Sequence, residues 1–178
     1  VKIREITQVA LVTAMIIVLG LMPPIPLGFI PVPIVLQNLG IMLAAVVLGP
    51  KRGTLAVGLF LLLALIGFPV LSGGQAGPAV FVGPTGGYLI GWLLTPALVN
   101  SFLTISFMRH PWGRMVGGWL GAVLIVDVIG SIWLAISANT PMLTALASNL
   151  VFLPGDTLKI VLACLIAERV RVPKAKHI

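Results

Sequence analysis

Charge is scarce in this 178-residue chain: 11 Lys and Arg, and only 4 Asp and Glu. A water-soluble domain covers its surface with roughly a quarter charged residues, and here the share is 8%. That excludes an ordinary soluble enzyme. The mean hydropathy of +1.18 equally excludes a disordered chain. A single cysteine, Cys164, leaves no disulfide framework and no multi-cysteine metal site. The two histidines, His110 and His177, form no cluster and sit beside basic residues. No Gly-Lys-Ser/Thr phosphate loop is present, and no Ser-His-Asp or Cys-His set can be assembled on one side of the apolar runs. These absences point away from catalysis, bound metal, cofactor and nucleic acid. The net charge of +7 therefore reads as membrane topology rather than as affinity for an acidic partner.

What the chain does have is apolar length, with 59% of its residues hydrophobic. A helix crossing the hydrocarbon needs about 17–25 mostly apolar residues. Runs split at charge, Pro and Gly give six spans, at 6–22, 34–49, 53–68, 86–108, 115–138 and 155–171. The second and third are short and borrow from their flanks. The segment 142–153 is apolar but too short to cross. With Pro154-Gly155 as its stop, it reads as an outer interfacial helix. The expectation is an all-α integral membrane protein, one six-helix domain over residues 1–178.

The basic residues give an independent test of this parse. Lys2 and Arg4, Lys51 and Arg52, Arg109 and Arg114, and Arg169, Arg171, Lys174 and Lys176 all fall at one face of a six-span arrangement. The loops 23–33, 69–85 and 139–153 carry no charge. Short loops rich in Lys and Arg stay cytoplasmic, so both termini are expected inside a bacterial plasma membrane. The first apolar run has a Pro-rich continuation rather than a small-residue cleavage site, and reads as a retained helix.

One basic residue and two acids escape this pattern. Glu5 and Glu168 sit near cytoplasmic helix ends, where solvation or a nearby Arg accounts for them. Lys159, Asp156 and Asp127 lie in or at the edge of the bilayer, where a charge costs several kcal/mol unless paired or hydrated, and commonly marks function. Asp156 and Lys159 are three residues apart, hence on one helix face. They follow Pro154-Gly155 at the outer start of span six, with the carboxylate near the helix N-terminus. Lys159 could snorkel outward, or the pair could fasten helices. Snorkelling would leave a stray positive charge on the uncharged side, so a donor and an acceptor at the mouth of an apolar cavity is the better reading. Asp127, mid-span in the fifth helix, reads as a proton relay, a neutral hydrogen-bonded group at a pocket base, or a packing contact.

The uncharged stretch 67–88 is rich in Gly and Pro, and its Leu71, Val80, Phe81 and Val82 would let it fold over the membrane face as a lid or serve as a plain connector. Gln37 and Asn38 open span two, where amides either bind a ligand or cap helices. Tyr88 and Trp92 open span four, where aromatic residues commonly form an interfacial belt. Ala10/Ala14, Gly87/Gly91 and Gly117/Gly121 are small-residue pairs at four-residue spacing, which let helices approach closely. Internal packing is the default for such pairs, although Ala10 and Ala14, on the least polar span, could face another protein.

Four strings resemble one family: Pro31–Gly40 (PVPIVLQNLG), Leu48–Gly53 (LGPKRG), Gly83–Tyr88 (GPTGGY) and Phe152–Lys159 (FLPGDTLK). In this order, over about residues 5–170, they resemble the BioY family, the biotin-specific substrate-binding subunits of energy-coupling-factor (ECF) vitamin transporters. The resemblance implies an S-component bundle with the vitamin held near the outer face. It implies three protein partners: a transmembrane coupling subunit and two cytoplasmic subunits that hydrolyse ATP. Ala10 and Ala14 match the small-residue motif that contacts the coupling subunit. Asp156 and Lys159 match the polar ligand residues, and Gln37, Gly83, Gly86 and Tyr88 fall at motif positions expected to line the site. Asn38 stands where Thr is expected, and Asp127 where an aromatic is common. The implied function is biotin capture for an ATP-driven importer, with biotin as cargo and no resident cofactor. The alternatives are a subunit for another water-soluble vitamin, or a proton-coupled carrier using Asp127.

Overall fold

The computed structural model describes residues 3–105 and 110–170. Lys2, Arg109, Arg171, Lys174, Lys176 and His177 lie outside the described residues. Helix α1 is Ile3–Gly20. Helix α2 is Gln37–Leu43, continued as a wider-turned π segment to Leu48, and α3 is Gly49–Leu65. A short α4, Pro78–Val82, precedes α5, Gly86–Leu103. Helix α6, Pro111–Trp119, runs through a second π segment, Leu120–Leu124, into α7, Ile125–Ser137. Helix α8, Met142–Ser148, leads through one 3₁₀ turn, Asn149–Val151, into α9, Phe152–Arg169.

Among the described residues, five helical stretches are long and apolar enough to cross a membrane: Ile3–Gly20, Gln37–Leu65, Gly86–Leu103, Trp112–Ser137 and Met142–Arg169. The second is a hairpin rather than a rod. Gly49 has φ +78°, in the left-handed region that only glycine adopts at little cost. Four residues on, a Cβ at Gly53 would lie 2.6 Å from the Ala44 carbonyl oxygen, so α3 folds straight back along the end of α2. Six helical segments result, as the hydropathy reading expects. Side chains such as Leu11, Val18, Leu62, Ile132 and Leu158 stand exposed on the outside of the bundle. That is the surface of a protein that faces lipid rather than water.

Two boundaries differ from expectation. Pro154-Gly155 does not stop a separate outer helix. Pro154 is the third residue of α9, in the first turn, where a backbone N–H has no intrahelical partner to lose. Residues 142–153 are therefore the first part of one 28-residue helical stretch that runs through the 3₁₀ turn. The second span starts at Gln37 rather than 34, because Ile34 pairs with Ile25 through two backbone hydrogen bonds of 2.9 Å.

Helix α5 is central and packs on α3, α7 and α6; α1 lies on α2 and α3, and α9 on α2 and α6. Glycines set these approaches. Gly91 faces Val126, Gly87 faces Trp133 and Gly121 faces the backbone of Val99, so the Gly87/Gly91 pair and Gly121 serve packing between α5 and the α6–α7 stretch. Apart from Lys159, the described basic residues gather at one end: Arg52 donates to Gln8 Oε1 at 2.6 Å, and Cys164, near the end of α9, approaches the Arg114 carbonyl. The opposite, uncharged end holds the loops 21–36 and 66–85.

Candidate functional site

A cavity of about 720 Å³, counting the part open to solvent, lies at the uncharged end. Its walls come from α2, α5, α7 and α9 and from both loops. Leu71, Leu89, Trp92, Val126 and Phe152 supply apolar surface. Ser72, Gln75 and Thr85 contribute polar atoms from the 66–85 loop.

One wall carries a buried ionic cluster. Lys159 Nζ donates to Asp156 Oδ1 at 2.7 Å and to the Val35 carbonyl at 2.9 Å. Asn38 Nδ2 donates to Asp156 Oδ2 at 2.9 Å. Both members of the pair are 8% exposed. An ammonium has three N–H donors, so one remains for a ligand. The three-residue spacing brings the two charges to one face of α9, and Asn38, one position into α2, fixes the carboxylate from the other side. The α9 site therefore matches the expectation in geometry: Lys159 neither snorkels to lipid nor points into solvent.

Gln37 and Tyr88 also line the cavity, but the protein already uses their polar groups. Gln37 Nε2 donates to the carbonyls of Ile16 at 3.1 Å and Val70 at 2.8 Å, and Oε1 accepts from Ser72 N–H at 3.2 Å. One side chain thus ties α1, α2 and the 66–85 loop together. Tyr88 Oη donates to Asn149 Oδ1 at 2.9 Å, and its ring meets Phe152 edge to face. Asn149 in turn donates to Ser131 Oγ and to the Asp127 carbonyl. This network holds the α8–α9 junction against α5 and α7.

Gly83 and Gly86 are not among the residues that line the cavity. Gly83 accepts a hydrogen bond from Trp133 Nε1 at 2.8 Å. A Cβ on Gly86 would collide with the Phe81 carbonyl, 1.9 Å away, and would lie 2.9 Å from Trp133 Nε1. The motif GPTGGY is needed for its turn and for its approach to Trp133, while Thr85 and Tyr88 are the members that reach the cavity. Trp92 lines the cavity instead of joining a belt, with its ring centroid 6.5 Å from that of Phe60. Asn149 escaped the sequence reading; its one signal was a lone amide in an apolar stretch. Ala10 and Ala14 are exposed on α1, away from the buried Val9, Val12, Thr13 and Ile16.

Loss of the Gln37 tie has a measurable cost. Leucine at 37 leaves Ser72 N–H and the Val70 carbonyl unpaired, which costs about 2–4 kcal/mol. Purified Gln37→Leu is expected to unfold several degrees below wild type in a thermal scan in detergent. An unchanged midpoint would show that the loop does not depend on this side chain.

The bundle and its cavity define a multi-pass membrane protein with a built small-molecule chamber. The BioY family model matches residues 1–175, and the chain belongs to the BioY family. It is 52% identical over 173 residues to a biotin transporter BioY of Lactococcus lactis subsp. cremoris, covering 96% of this chain and 92% of that one. It is 42% identical over 176 residues to the biotin transporter BioY of Rhizobium etli, covering 95% and 94%. A crystal structure of the S-component for biotin from an ECF-type ABC transporter superposes with a TM-score of 0.91 at 51% identity, over 95% of this chain and 91% of that one. These relatives are transport proteins, the class expected of a chain without a catalytic constellation.

Proposed function

We propose that this chain captures biotin at the outer face of a bacterial plasma membrane, as the substrate-specific subunit of an ATP-driven ECF importer. The observation that carries the proposal is the buried Asp156–Lys159–Asn38 cluster on the wall of an otherwise apolar cavity. Biotin has a thioether ring and an alkyl tail for the apolar walls. Its ureido group and carboxylate need a few placed donors and acceptors. Lys159 has one N–H to give, and Asp156 has unused lone pairs. The relatives named above are biotin transporters and a biotin S-component, which favours this cargo over another vitamin.

The basic end of the bundle is the cytoplasmic end in this proposal, by the preference of Lys and Arg for inside loops. The cavity then opens outward and both termini are inside. Ala10 and Ala14 offer a small-residue face on α1 to the coupling subunit, and two cytoplasmic ATPase subunits supply the energy. Equilibrium titration of purified protein tests the cargo. Biotin is expected to bind saturably at one site and to resist displacement by a panel of other water-soluble vitamins. Displacement of biotin by another vitamin at equal concentration would assign a different cargo.

A further inference from the structure

Asp127 is the ionisable residue that the site described above leaves unused. It lines the cavity from α7, it is 5% exposed, and its Oδ2 is a buried side-chain oxygen with no hydrogen-bond partner among the described residues. Its main-chain carbonyl is held by Asn149 Nδ2 at 2.9 Å, so the backbone that carries it is fixed. The ionisable groups facing the same cavity are Tyr88 from α5 and Asp156 and Lys159 from α9. Lys159 is the sole cation among them, and it is committed to Asp156 at 2.7 Å. An ionised Asp127 would be a buried carboxylate without counter-charge, which costs several kcal/mol in a low-dielectric interior. Biotin adds its own carboxylate, and two uncompensated anions in one chamber would repel each other.

We propose that Asp127 stands in the cavity as a neutral carboxylic acid whose hydroxyl is offered to an acceptor oxygen of the bound vitamin, which makes it a second specificity residue and couples capture to protonation. This rests on the reading of the site as a biotin pocket. A protonated carboxyl is both donor and acceptor, and Asp127 is not committed to the Asp156 cluster. The proton balance is simple. When the empty protein has Asp127 ionised, as at alkaline pH, binding takes up one proton from bulk water at the open mouth, and release returns it. The sign follows from linkage. Affinity is highest where Asp127 is already protonated and falls as pH rises through its ionisation, by up to about tenfold per pH unit.

The test is a titration of biotin against purified wild-type protein, Asp127→Asn and Asp127→Leu from pH 5.5 to 9.5, with proton uptake read from calorimetry in buffers of differing ionisation enthalpy. Wild-type affinity is expected to fall at least about tenfold across the alkaline half of that range, with up to one proton taken up per biotin. Asp127→Asn donates from an amide nitrogen at a different angle. It is expected to bind several-fold more weakly at pH 6 and to lose the alkaline decline and the proton uptake. Asp127→Leu is expected to bind more weakly still. Tyr88, Asp156 and Lys159 are present in both wild type and Asp127→Asn, so the difference between the two profiles belongs to Asp127. Parallel profiles for the two proteins, or wild-type affinity in Asp127→Leu, would overturn the role of Asp127 and leave the biotin pocket standing. Wild-type protein that binds no biotin at any pH overturns both.

Discussion

Lys159→Met is expected to weaken biotin binding by at least about 100-fold, a loss in the range found when one partner of a buried, hydrogen-bonded charge pair is truncated. Methionine keeps the length and apolar bulk of the side chain, so packing in α9 is little disturbed. What disappears is the donor to Asp156 Oδ1 at 2.7 Å, the donor to the Val35 carbonyl at 2.9 Å, and the N–H left for the ligand. Asp156 retains only Asn38, and an unpaired carboxylate stays in the wall, 8% exposed. Removing one member of a buried pair destabilises by about 3–5 kcal/mol, so the thermal midpoint falls together with the affinity. A double variant separates the two effects. Lys159→Met with Asp156→Leu removes both charges, and replacing a buried pair with apolar residues is close to neutral for stability. The double variant is expected to recover the midpoint but not the binding. Recovery of both would show that the pair only fastens helices and that the ligand is held elsewhere.

The legible part of this site was the part that violates composition. Lysine and aspartate are so costly among apolar residues that Asp156, Lys159 and Asp127 announce themselves without any fold. Their meeting was legible too, since a three-residue spacing within one helix needs no tertiary information. The six-segment bundle was readable for the same reason: the basic residues cluster only when the chain is cut at the right places. Polar groups whose partners lie far along the chain were opaque. Asn149 bonds to Tyr88, Ser131 and the Asp127 carbonyl, none of them near it in sequence. Gln37 looked equally fit for ligand or cap, and only the positions of Ile16, Val70 and Ser72 show that its amide is occupied. Glycine was the least readable residue. A missing Cβ admits a ligand, a helix or an indole equally well, and at Gly86 the neighbours are the Phe81 carbonyl and Trp133. Pro154 misled because a proline that ends a helix and one that sits in a first turn look the same in a string of letters.

The same ambiguity makes Gly121 a position where a single side chain damages the bundle. A Cβ there would lie 2.7 Å from the Val99 backbone nitrogen and 2.9 Å from its Cα. The obstacle is the main chain of α5 at a fully buried residue, not a flexible side chain that could turn away. Small residues at such crossings let backbones meet where apolar burial against lipid gives no separate driving force. Gly121→Ala already forces the α5 crossing apart and is expected to cost about 1–3 kcal/mol, as overpacking does. Gly121→Leu requires a shift that neighbouring contacts do not permit, and is expected to leave little monodisperse protein on size exclusion. Because α5 and α7 both line the cavity, whatever folded fraction survives should bind biotin poorly. Gly155 provides the contrast on α9. A Cβ there meets nothing within 4 Å, so Gly155→Ala gains helix propensity at no steric cost and is expected to stabilise by about 0.5–1 kcal/mol. Equal yields and midpoints for Gly121→Leu and Gly155→Ala would mean that the α5 crossing is looser than this packing requires.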